Sequence, residues 1–131
     1  MDSKKLVVIT GASSGIGAAT AKAFATAGNP LLLLARRLGR MEELGLPNTM
    51  CREVDVLDAD AMRQAVSDAE ERFGKVDCLV NNAGVMLNGK PHEQEPEQWQ
   101  KMLDVNIRGV LNGVYLVLAD MVERQAGTII N

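Results

Sequence analysis

Thr10-Gly11-Ala12-Ser13-Ser14-Gly15-Ile16-Gly17 decides how this 131-residue chain is read. Before it stands Lys5–Thr10, an apolar and β-branched run that ends at a glycine and reads as a buried strand. After it, Gly15–Gly28 is Ala-rich, with Ile16 and Phe24 as its large apolar groups, and reads as a helix. Gly11, where the strand ends, permits a tight turn. Gly15, at the helix start, lets a phosphate group approach the backbone, and Gly17 lets helix and strand pack closely. The free N–H groups of that helix terminus then face an anion, helped by the helix dipole. Ser13 and Ser14 add hydroxyl donors. A glycine-rich turn without a ligand is the alternative.

Outward from this segment the chain alternates strand and helix. Leu31–Ala35 is a second continuous apolar run, and a short helix follows around Leu38–Leu44. Thr49–Val54 is a less apolar strand, expected nearer an edge. In Asp58–Phe73, Met62, Ala65, Val66, Ala69 and Phe73 make one apolar helical stripe. Asp58 is its N-cap and Gly74 its stop. Val76–Val80 is a fourth buried strand and Asn82–Gln94 a loop. Pro96 fits the first position of a long helix to about Gln125, and Gly127–Asn131 begins a fifth strand. Uninterrupted apolar strands separated by helices predict an α/β fold: a parallel sheet covered on both faces. No repeat, linker or low-complexity stretch interrupts 1–131, which reads as one domain.

Composition narrows the function classes. Apolar residues are 47% and charged residues 24%, ordinary for a globular domain that buries roughly two-thirds of its unfolded surface. Aromatics are only 3%, so the core is aliphatic and offers no stacking platform for single-stranded nucleic acid. A net charge of -3 without a basic run argues against a nucleic-acid partner. Cys51 and Cys78 lie in apolar, strand-like runs, and with the single His92 they give no zinc spacing, so no metal is expected. Met1-Asp2-Ser3-Lys4-Lys5 leads straight into a strand, without a signal peptide, which predicts a reducing cytoplasm. No apolar run approaches the ~20 residues that span a membrane, so no membrane association is expected.

Further chemistry collects at strand ends. Nucleotide sites of this type usually place an acid at the end of strand two to bind the ribose hydroxyls. Here that end reads Leu34-Ala35-Arg36-Arg37, and no acid occurs from Pro30 to Met41. Arg36, and Arg37 beside it, can fork onto a 2′-phosphate. One charged hydrogen bond is worth roughly 1.5–3 kcal/mol, or about a ten- to hundredfold preference for NADP over NAD. Two solvated arginines opening a helix are the alternative. At the end of strand four, Val80-Asn81-Asn82-Ala83-Gly84 offers amides to tie neighbouring strands and line a nucleotide cleft, although Asn and Gly are also ordinary turn residues. Asp55, closing strand three, can accept from an adenine amino group. Asn106 lies among large apolar neighbours in the long helix, where Asn is a poor choice. It is read as a buried amide holding a local helix distortion and a water near the cleft, or else as an exposed turn of helix or a structural hydrogen bond. Beyond it the helix is apolar nearly all round, so one face meets the sheet and another needs a cover such as a second subunit. Gly109 and Gly113 would permit close helix contact.

Together these residues resemble the short-chain dehydrogenase/reductase family over the whole chain. Thr10–Gly17 resembles its cofactor motif, Asn82-Ala83-Gly84 its strand-four motif, Asp55-Val56 its adenine-contacting pair and Ala35-Arg36 its NADP-preferring strand-two end. Asn106, in Val105-Asn106-Ile107-Arg108-Gly109, resembles its catalytic asparagine. The resemblance implies a Rossmann-like doubly wound sheet of order 3-2-1-4-5, NADP(H) as cofactor, hydride transfer on a small alcohol or carbonyl substrate, and homo-oligomers formed through helix 96–125. The same resemblance implies a catalytic serine just past strand five, then a tyrosine and a lysine. No serine follows Ser67, and Tyr115 is followed four residues later by Ala119. The 131 residues are therefore expected to be an N-terminal portion, truncated after strand five, that does not turn over substrate alone and forms dimers or aggregates through a bare edge. A non-catalytic nucleotide-binding or oligomerising module is the other reading. A methyltransferase using S-adenosylmethionine is a third, weakened by the missing strand-two acid.

Overall fold

Side chains alternate along the first strand, and both faces find cover. The computed structural model describes residues 4–131; Met1–Ser3, part of the segment expected to lead straight into the first strand, lie outside them. The elements are β1 (Leu6–Thr10), α1 (Gly15–Thr26), β2 (Leu31–Ala35), α2 (Leu38–Glu42), β3 (Thr49–Glu53), α3 (Ala59–Phe73), β4 (Val76–Val80), α4 (Pro96–Leu103), α5 (Gly109–Arg124) and β5 (Thr128–Ile130). The strands form one five-stranded sheet of order β3-β2-β1-β4-β5, and every pair is parallel. The predicted order and class are those found, with β3 at one edge and β5 at the other.

Val7 and Ile9 of β1 and Leu31 and Leu33 of β2 pack with Ala21 of α1 and Met41 of α2. Leu6, Val8, Leu32 and Leu34 point the other way, onto Met62, Ala65, Val66 and Ala69 of α3 and Val117 and Met121 of α5. A fully buried leucine contributes about 1.5–3 kcal/mol, so β1 and β2 anchor both layers. Among the described residues no aromatic side chain is fully buried; Phe24 and Phe73 pack at the margins of the two clusters. The Asp58 carboxylate accepts from the Ala61 N–H at 3.0 Å, capping α3 as its sequence predicts. Pro96 opens α4, where Glu95 and Gln98 form a reciprocal capping box.

The long helix carries the distortion expected at Asn106 and departs from the sequence expectation in two other ways. It is continuous over Pro96–Arg124, but Asp104–Arg108 is a π-turn in which the Gly109 N–H reaches the Asp104 carbonyl. By length and apolar composition it is also long enough to cross a membrane, contrary to the expectation that no segment would be. Its buried row, Gly109, Gly113, Val117 and Met121, docks on the sheet instead. Finally, Gly109 and Gly113 serve contacts within the chain. A Cβ at Gly109 would meet Val56, and one at Gly113 would meet Asn81 and Leu79. The opposite face carries exposed Ile107, Leu111, Tyr115, Leu118 and Val122, Tyr115 at 86%.

Cys51 and Cys78 stand on β3 and β4, with two strands between them. Strand spacing puts them on the order of 14 Å apart, too far for a disulfide. Burial pushes both thiols above their ordinary pKa, with Glu42 adding to the effect at Cys51 and Asp77 at Cys78.

Candidate functional site

The C-terminal ends of β1, β2, β3 and β4 open on one cleft of about 760 Å³. Parallel sheets collect ligands there, where the strand order reverses. The reversal lies between β1 and β4, and a small set of side chains ties it together. Thr10, 1% exposed, uses its hydroxyl oxygen to accept from the Asn82 and Ala83 N–H groups, each at 3.0 Å, and donates to the Val80 carbonyl at 3.5 Å. The Asn82 side-chain amide donates to the Gly11 carbonyl at 3.1 Å. Buried Asn81 donates to the Asn131 side chain at 3.0 Å, linking β4 to the end of β5.

The glycine turn has no room for side chains. Gly11 has φ +63°, and a Cβ there would lie 2.8 Å from the Ala83 Cα. A Cβ at Gly17 would fall on the Gly11 carbonyl oxygen and lie 2.5 Å from the Asn82 side-chain nitrogen. Ser14 is the N-cap of α1 yet makes no side-chain cap bond, so its hydroxyl and the first-turn N–H groups remain available to a ligand. This corner of the cleft is a concave array of donors at a helix N-terminus, suited to an anion.

The cleft lining gathers Gly11, Ser13, Ser14, Arg36, Arg37, Asp55, Val56, Asn82, Ala83 and Gly84 of the residues singled out from sequence. Gly15, Ile16 and Gly17 are not in that lining. Ile16 is 78% exposed and projects to solvent, because position two of α1 lies on the outer side of the helix. Arg36 and Arg37 enter no ion pair among the described residues. Asp55 is exposed, and one carboxylate oxygen accepts the Leu57 N–H at 2.9 Å.

Asn106 is exposed, not buried, because no described segment covers the π-turn on that side. Both ends of its amide are nonetheless engaged. The side-chain oxygen accepts the Val85 N–H and the side-chain nitrogen donates to the Val85 carbonyl, both at 2.8 Å. Asn106 thereby pins the cleft rim just past Gly84, and it does so from the distorted turn anticipated for it. Further along that rim, Gln94 donates to the Leu87 carbonyl at 2.6 Å and accepts from the Trp99 indole N–H at 3.0 Å.

Ala35, named in the sequence with Arg36, also lines the cleft, and sequence reading missed Glu53, Val54, Val85 and Val105 there. Glu53 matters most. It pairs in register with Ala35, so β3 supplies a carboxylate beside the strand-two end that has none of its own. The signal was present in the apolar-to-charged switch at Arg52-Glu53, but only the pairing register places it beside Arg36.

The short chain dehydrogenase family model matches residues 5–131. An uncharacterized oxidoreductase of Staphylococcus saprophyticus is 40% identical over 131 residues, which is 97% of this chain and 53% of the relative. Sulfoacetaldehyde reductase 2 of Chromohalobacter salexigens is 38% identical over 128 residues, 93% of this chain and 51% of the relative. A closed form of serine dehydrogenase complexed with NADP+ superposes with a TM-score of 0.90 at 33% identity, covering 96% of this chain and 52% of that chain. The chain spans about half the length of the curated relatives it matches.

Proposed function

Because this chain belongs to the short-chain dehydrogenase family, we propose that its cleft takes NADP(H) and that the whole protein moves hydride between that cofactor and a small alcohol or carbonyl substrate. The observation that carries this reading is the pairing of two cationic side chains, Arg36 and Arg37, with the uncapped helix terminus in one cleft. The residues fit the group: glycine takes the places where a Cβ would fill the cradle, at Gly11 and Gly17. The diphosphate lies against the first-turn N–H groups of Gly15, Ile16 and Gly17 and the hydroxyls of Ser13 and Ser14. Gly15, Ile16 and Gly17 act through backbone alone. Arg36 and Arg37 hold the 2′-phosphate, Asp55 and Val56 the adenine, and Asn82, Ala83 and Gly84 the middle of the cofactor. When bound, the nicotinamide supplies the hydride. Asn106, the position that resembles the family's catalytic asparagine, lies outside the cleft lining and acts here as a positioning residue that fixes the rim at Val85.

Arg36→Ala tests the cofactor assignment. Titration is expected to give tenfold to a hundredfold weaker NADPH binding with NADH binding unchanged, the value of one charge-assisted hydrogen bond. Equal losses for both cofactors remove the 2′-phosphate assignment.

Proton transfer to a substrate oxygen needs a positioned acid–base. No serine follows Ser67, and Tyr115 lies on the exposed face of α5, away from the cleft lining. The polypeptide of residues 1–131 is therefore expected to bind NADPH with no turnover. A dehydrogenase assay on material of verified intact mass checks this, and a measurable rate contradicts it. The exposed apolar face of α5 supports assembly with a second copy, and the two thiols held apart on the sheet suit a cytoplasmic setting.

A further inference from the structure

One peptide group on the cleft wall is held from both sides. The carbonyl of Val56 accepts from the side-chain nitrogen of Asn112, on α5, at 2.8 Å. The N–H of the same peptide unit, that of Leu57, donates to a carboxylate oxygen of Asp55 at 2.9 Å. The turn closes behind it where the Asp58 N–H meets the Asp55 carbonyl at 2.9 Å. Gly109, about one helical turn before Asn112, has no Cβ to hold Val56 away from α5. We propose that Asn112 is a positioning residue for Asp55. By fixing the Val56–Leu57 peptide plane it fixes the direction of the N–H that anchors one oxygen of the Asp55 carboxylate. The second oxygen is then presented to the cleft that Asp55 lines. A chain carboxylate anchored only by its own turn samples several rotamers, and a ligand amino group must then bear the cost of ordering it. Asn112 removes that cost through Val56, 56 residues away in sequence. The inference rests on the nucleotide reading above, with the adenine as the group Asp55 meets.

A double-mutant cycle on the full chain, read by 2′,5′-ADP affinity, tests it. Asn112→Leu, similar in size but without a donor, is expected to weaken 2′,5′-ADP about tenfold beside wild-type Asp55 and less than twofold in an Asp55→Ala background. Asn112→Ser, whose hydroxyl is too short to reach Val56, gives the same pattern and serves if the leucine variant fails to fold. Leu116→Ala, which loosens α5 against the core, lowers the thermal midpoint and leaves the affinity within twofold. Equal losses from Asn112→Leu in both backgrounds overturn the coupling through Asp55, as does an Asp55→Ala variant that binds like wild type. Failure of the wild-type chain to bind both NADPH and 2′,5′-ADP instead overturns the nucleotide reading itself.

Discussion

Gly17→Ala is expected to lower the unfolding free energy by about 2–6 kcal/mol and to weaken NADPH binding by a hundredfold or more. The added methyl falls on the Gly11 carbonyl oxygen and sits 2.5 Å from the Asn82 side-chain nitrogen. Those two atoms are themselves hydrogen-bonded at 3.1 Å, so the methyl must break that bond, move α1 off β1, or both. Overpacking costs about 1–3 kcal/mol and an orphaned polar partner about as much again. Either displacement swings the first-turn N–H groups away from the anion. Urea unfolding with an NADPH titration measures both effects. Gly39→Ala is the control: it lies in α2 with nothing within 4 Å of an added Cβ, and little change is expected. A Gly17→Ala protein with the wild-type midpoint and affinity contradicts the packing argument.

Thr10→Val is the second large effect, about 1–3 kcal/mol of stability. Valine matches threonine in shape, but the exchange removes the oxygen that accepts two backbone N–H groups. The Ala83 N–H is left unpaired, which costs about 1–3 kcal/mol in a partly buried setting, while the Asn82 N–H keeps the Val80 carbonyl at 3.1 Å. Thr10→Ser keeps the oxygen and is expected to recover most of the loss. Chemical denaturation of the three proteins decides the matter: a valine variant as stable as the wild type contradicts the acceptor argument.

These two positions show what the sequence makes legible. The glycine turn was readable because tight turns and close approach demand glycine at particular spacings after a strand. The alternation of fully apolar runs with amphipathic helices was equally readable, since both faces of a parallel sheet must be covered. The role of Thr10 was not readable. Its partners lie 72 and 73 residues away, and a buried hydroxyl at a strand end looks like any β-branched strand residue until β4 is placed beside β1. Glu53 was hidden for the same reason, because its neighbourhood is set by the register of β3 on β2. Asn106 was readable as an unusual helix residue, but its partner, the Val85 peptide 21 residues earlier, is set only when the segment after β4 is placed beside the π-turn.

The aliphatic core leaves one indole in the chain, that of Trp99, and its N–H is bound to the glutamine that also grips Leu87. With 45% of its surface open to solvent, this chromophore sits against the segment that runs on from Val85 at the cleft. Its ultraviolet emission therefore reports how firmly the rim is fastened, without a dye and without contributions from a second fluorophore of its kind.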